Sequence, residues 1–126
     1  MSLQLNLDHE AALAAQHMLQ SIGSANWGEA ERLIRKTLGV VQENGVYAGT
    51  LFLLTRPEKE KPIAGKIVGG LFDLLLKVTP EALKDTRSVA RLAYLTGNVT
   101  GKLQTLLLVK SLWEQALIYA RYGAKL

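Results

Sequence analysis

The 126-residue sequence predicts an all-α fold, a compact single-domain bundle of about six helices spanning residues 1–126. Three observations carry that expectation. Apolar residues recur at steps of three and four along most of the chain, the period of a helix face rather than the alternation of a strand. Glycine, proline and capping residues punctuate these runs at helix-length intervals. Finally, a chain of this length buries roughly two-thirds of its unfolded surface, enough for one core without disulfides or metal staples.

Asp8 to Ser21 is rich in alanine and leucine, with Ala11, Ala14 or Ala15, Met18 and Ile22 on one stripe, and Gly23 ends it. Ser24 and Asn26 are candidate caps, and Asn26 stands three residues before Glu29 as in a capping box, so a second helix is expected from Trp27. Its apolar positions Trp27, Ala30, Ile34, Leu38 and Val41 keep the helical spacing up to Asn44-Gly45. That pair is read as a helix cap followed by a second apolar face through Val46, Gly49 or Thr50, Leu53 and Leu54. The runs Val40-Val41 and Leu51 to Leu54 leave a β-hairpin open as the other reading.

Arg56 to Pro62 alternates charges between two prolines and is read as an exposed loop. Ile63 to Val78 resumes the helical period, and Thr79-Pro80-Glu81 predicts a cap and the start of a short new helix. Asp85 to Leu95 follows as a helix capped by Asp85, with Val89 and Leu92 or Ala93 inward and Gly97-Asn98 as its break. Val99 to Tyr122 is expected to be the longest helix, with Leu103, Leu106 or Leu107, Lys110, Trp113, Leu117 and Ala120 along one face. Gly65 and Gly69, four apart, suggest close helix packing rather than a phosphate loop, because no GxxxxGK[ST] or GxGxxG accompanies them.

Composition excludes several chemistries. There is no cysteine, which removes disulfides and thiolate sites and fits a reducing cytoplasm. No apolar run approaches the roughly 20 residues of a membrane span, and no signal peptide is expected. His9 and His17 are eight apart and cannot share a metal, so neither a metal site nor a cofactor is expected. No G-x-S-x-G elbow is present, and the carboxylate pairs Asp8/Glu10, Glu29/Glu31 and Glu58/Glu60 have a spacing that points helical side chains apart. The expectation is therefore a protein that is not an enzyme.

Charge is the pattern that remains. Residues 1–63 carry six Lys/Arg against seven Asp/Glu, whereas residues 64–126 carry nine against four, and a basic half of this kind suits a polyanion or an acidic protein surface. Arg32, Arg35 and Lys36 fall together on the second helix, and Arg87 and Arg91 are one helical turn apart. Basic residues spread over several helices, with few base-reading side chains among them, fit phosphate contact without sequence readout. An ordinary solvated face partly paired with Glu29, Glu31 and Asp73 is the competing reading.

An Ala/Gln-rich first helix, then AERLIRKTLGVVQENGVYAGTLFLL, a charged Pro-bounded loop and YLTGNVTGKLQTLLLVKSLWEQALIYA together resemble the small all-helical subunit of the Cmr (type III-B CRISPR, RAMP-module) RNA-targeting complexes. The landmarks are Asn44-Gly45 with the helix to Leu54, then Tyr94, Thr96 or Thr100, Leu106, Leu107 and Leu112-Trp113, and the likeness covers nearly the whole chain. The resemblance implies a non-catalytic architectural subunit in antiviral defence. Its partners would be the backbone RAMP subunit, the large subunit, further copies of itself and the guide and target RNA, with no membrane. Arg32, Arg35, Lys36, Arg87 and Arg91 are then the candidate RNA contacts. A small helical DNA-binding regulator, or an adaptor for an acidic protein, are the rival readings.

Overall fold

The computed structural model describes residues 6–126 and shows five α-helices with no strand among them. They are α1 (Leu7–Ile22), α2 (Trp27–Leu54), α3 (Lys61–Leu75), α4 (Ser88–Asn98) and α5 (Leu103–Gly123), with a single 3₁₀ turn at Ser24–Asn26. The all-α single-domain expectation holds, with five helices in place of about six.

α1 starts where Asn6 accepts the His9 amide (3.0 Å) and carries Asp8 and Glu10 at its positive end. It buries Ala11, Ala15, Met18, Leu19 and Ile22, then stops at Gly23, whose φ of 88° only glycine adopts readily. The capping box expected at Asn26 does not form: its side chain makes no cap bond, and α2 is entered through the 3₁₀ turn instead. Trp27 lies half-buried with its indole N–H donated to the Leu19 carbonyl (3.0 Å), joining the two helices.

α2 runs for 28 residues, but Gly45 divides it into two helical pieces, 27–44 and 46–54, so the 21-residue α5 is the longest unbroken helix, as expected. α2 is bent at Gly45, whose φ of 92° and ψ of −176° lie in a region essentially closed to other residues. Residues 41 and 49 would stand about 12 Å apart along a straight helix. Here a methyl on Gly49 would lie 2.5 Å from Val41 Cγ2, so the second half folds back over the first. Asn44-Gly45 is thus a helix reversal and not a β-hairpin. Val46, Gly49, Thr50 and Leu53 become core residues, and the buried hydroxyls of Thr37 and Thr50 are satisfied by the Leu33 and Val46 carbonyls. Gly45→Ala is expected to destabilise the fold by about 1–3 kcal/mol, read as a lower midpoint in denaturant with an unchanged slope.

α3 begins at Lys61 with Pro62 in its first turn, two residues before the expected start, and buries eight of its fifteen residues against α1, α2 and α5. Gly65 and Gly69 admit no close approach within the chain. The tight contacts fall at Gly49, at Gly123, which faces Leu19, and at Gly70, which faces Met18. Trp113 of α5 is fully buried, meets the Phe72 ring at 5.7 Å and donates its N–H to the Leu71 carbonyl (2.9 Å). α5 packs most extensively on α2 and α1.

The short helix expected after Thr79-Pro80 is absent. The Thr79 hydroxyl turns back to donate to the Leu75 carbonyl (3.0 Å), closing α3 instead of opening a new helix. The Tyr94 hydroxyl reaches Thr79 Oγ1 (2.8 Å) and donates to the Glu81 carbonyl, so α4 holds this stretch as an irregular connection. Asp85 does not cap α4: its carboxylate accepts both the amide and the guanidinium of Arg87, and the helix starts at Ser88. The α4 backbone comes close only to α2 among the other helices, with Arg91 reaching across to Phe72 of α3, so its buried residues are Tyr94 and Leu95, while Val89 is 79% exposed.

α5 starts at Leu103, four residues later than expected, after a turn at residues 99–101. The expected stripe holds from Trp113 through Ala120, but Leu103 and Leu107 point outward at 70% and 56% exposure. No helix among the described residues is long and apolar enough to cross a membrane.

Candidate nucleic-acid interface

The five basic residues singled out from the sequence do not form one surface. Arg32 and Lys36, one turn apart on α2, line a cleft of about 300 Å³ together with Glu29 and Leu33 of the same helix and Lys59, Glu60 and Ile63 from the start of α3. The reversal at Gly45 makes this meeting possible, since it carries the chain back to α2 before α3 begins. The connecting turn is tied down locally. Pro57 O accepts the amides of Glu60 (2.9 Å) and Lys61 (3.2 Å), Lys61 Nζ pairs with Glu58 (3.1 Å), and Arg56 lies 3.8 Å over the Phe52 ring while donating to the Phe52 carbonyl.

Arg32, Lys36 and Lys59 are exposed, and none makes an ion pair within 4.0 Å among the described residues. Leu33 and Ile63, nearly buried, form the apolar floor between them. No side chain caps the α3 N-terminus at this edge of the cleft. Three cations share the cleft with the two carboxylates Glu29 and Glu60, and without a close ion pair they remain available to attract an incoming anion.

Arg35 is turned away from the cleft. Its Nε lies 3.7 Å from Glu31 Oε2, and Arg121 Nε approaches the same oxygen at 3.5 Å, so Glu31 joins α2 to α5 between two guanidiniums. Arg87 is held by Asp85 (2.5 Å), which raises the guanidinium pKa and keeps the Asp85 carboxyl below the usual carboxylate range, with Arg87 exposed and Asp85 partly so. Arg91 is half-buried with its guanidinium 5.4 Å from the Phe72 ring centroid. Burial pushes its pKa down, partly opposed by the Asp73 charge. Arg91 covers the gap between α3 and α4 and presents less charge to solvent than a free arginine.

Lys59 is the residue that sequence reasoning missed. It lies in the Arg56–Pro62 loop, whose alternating charges look solvated, and only the fold-back of α2 places it opposite Arg32 and Lys36. A second, larger cavity of about 450 Å³ lies between α1 and the end of α5, lined by Leu19, Trp27 and Tyr119 among others. Its lining is mostly apolar and includes Gln16 and Gln20 but no charged side chain. His9 and His17 are both exposed, and among the described residues no three His, Asp or Glu side chains come together as a metal site.

Fold and cleft together define an all-α single-domain bundle with a charged groove beside its bent helix. Comparison with protein-family models, with curated proteins and with solved structures found no match to this chain.

Proposed function

We propose that the protein is a non-catalytic, architectural subunit of a cytoplasmic ribonucleoprotein assembly of the Cmr type. In this reading it stacks beside backbone subunits and further copies of itself, and supports target-RNA binding through its basic face. The observation that carries the proposal is the set of unpaired cations Arg32, Lys36 and Lys59 around one cleft. Three lysine and arginine side chains on two elements suit phosphates of a flexible single strand. A duplex reader would instead present Asn, Gln or Arg along one helix entering a groove.

The resemblance of the sequence to the small Cmr subunit supplies the assembly. The exposed pair Leu103 and Leu107, one turn apart on α5, supplies an apolar contact for a neighbouring subunit. An adaptor for an acidic protein would use the same cations but bind no RNA.

Purification of the tagged full chain from its native host tests this reading. Recovery with stoichiometric protein partners and RNase-sensitive RNA is expected, and recovery of the chain without RNA contradicts it. A Leu103→Asp/Leu107→Asp double variant is expected to keep the native stability to within about 0.5 kcal/mol, as surface substitutions do, while recovering less than a tenth of the partners. Full partner recovery by that variant removes these leucines from the interface.

A further inference from the structure

The cleft contains more than cations. Its floor is apolar, at Leu33 and Ile63, and its α3 side carries the carboxylate of Glu60, which is half-buried and makes no cap bond to the helix it precedes. A site for bare phosphate has no use for a carboxylate, which repels it. A ribonucleotide, by contrast, presents three unlike surfaces: an anionic phosphate, hydroxyl donors on the ribose and the flat apolar face of the base. The volume of about 300 Å³ is at the small end of ligand sites, which run from roughly 300 to 1,000 Å³.

We propose that the cleft between α2 and the start of α3 seats one nucleotide of RNA and reads its ribose. Arg32, Lys36 and Lys59 take the phosphate, Glu60 accepts a hydrogen bond from the 2′-hydroxyl, and the base lies against Leu33 and Ile63. The 2′-hydroxyl is the group by which a protein distinguishes RNA from DNA at a single position. The Glu60 amide is bonded to Pro57 O, so the carboxylate is carried by a fixed turn rather than a free loop. This assignment rests on the RNA-binding reading above and adds to it a subsite, a ribose selector and Lys59 as a phosphate contact.

The test uses the full chain with ten-nucleotide single-stranded RNA and DNA of one sequence, measured by fluorescence anisotropy across a salt series. Lys59→Gln is expected to weaken RNA binding about fivefold at 0.1 M salt and to make the slope of log K against log salt shallower by about 0.7, the share of one phosphate. Glu60→Ala raises affinity for both strands by removing a negative charge. Its informative readout is the RNA-to-DNA ratio, expected to fall about tenfold with the loss of a charge-assisted hydrogen bond. Competition by 5′-AMP is expected to exceed competition by inorganic phosphate at equal concentration, and equal competition reduces the cleft to a phosphate hole.

Native-like binding and an unchanged ratio in both variants, alongside a loss in Arg32→Gln/Lys36→Gln, overturn the subsite and leave the basic face of α2 as the RNA contact. Absence of RNA binding by the native chain overturns the RNA reading itself.

Discussion

Trp113→Ala is expected to lower the unfolding free energy by about 3–5 kcal/mol, the range for a fully buried aromatic residue. Trp113 has no exposed surface, packs against Phe72 and places its indole N–H on the Leu71 carbonyl, so it joins α5 to α3 at the centre of the molecule. Domains of this size have only about 5–15 kcal/mol in total, so this single truncation removes a large part of the margin. The corresponding fall in Tm is roughly 10–20 °C, seen by thermal circular dichroism. Trp27→Ala serves as the comparison. Trp27 is half-buried and its indole bond to Leu19 O lies near the surface, so its loss is expected to be clearly smaller. Equal losses from the two tryptophans contradict the placement of the core.

Arg32→Gln/Lys36→Gln is the functional counterpart. Each phosphate contact to a single strand contributes about 0.7 to the salt slope, hence about fivefold in affinity at 0.1 M salt. Removing two is expected to weaken RNA binding about 25-fold. Stability should hardly change, because both side chains are exposed and neither is in an ion pair. Arg87 and Arg91 are poorer positions for this experiment. Arg87 is neutralised by Asp85, and Arg91 lies over Phe72, so charge reversal there also disturbs the join between α3 and α4.

The helices that were legible in the sequence are those with a continuous partner. α1, the first half of α2 and α3 each bury one face along their whole length, and Ala11, Met18, Ile34, Leu38, Ile67 and Leu71 repeat at helical spacing for that reason. The Asn44-Gly45 reversal was legible too, since only glycine takes the φ that it needs. What was not legible depends on groups distant in the chain. Thr79-Pro80-Glu81 has the local form of a helix start, but Tyr94, fifteen residues later, holds Thr79 and Glu81 in another conformation. Val89, Leu103 and Leu107 look like core positions by period and are exposed because no element of this chain covers α4's start or α5's first turns.

The candidate site divides in the same way. Arg32 and Lys36 are neighbours through helix geometry alone and could be paired from spacing. Arg35 sits on the same stretch of helix but is drawn aside by Glu31 one turn before it, a pairing that spacing also offers, whereas the share that Arg121 of α5 takes in Glu31 is encoded by no local pattern. Lys59 and Glu60 reach the cleft only through the reversal at Gly45, so a glycine with no chemistry of its own determines which charges meet.

The salt dependence of single-stranded RNA binding tests the central claim most directly, measured for the native chain and for Arg32→Gln/Lys36→Gln under identical conditions. Phosphate contact by these two residues predicts a slope of log K against log salt shallower in the variant by about 1.4, with matching unfolding curves for the two proteins. Identical slopes and affinities in the two proteins contradict it.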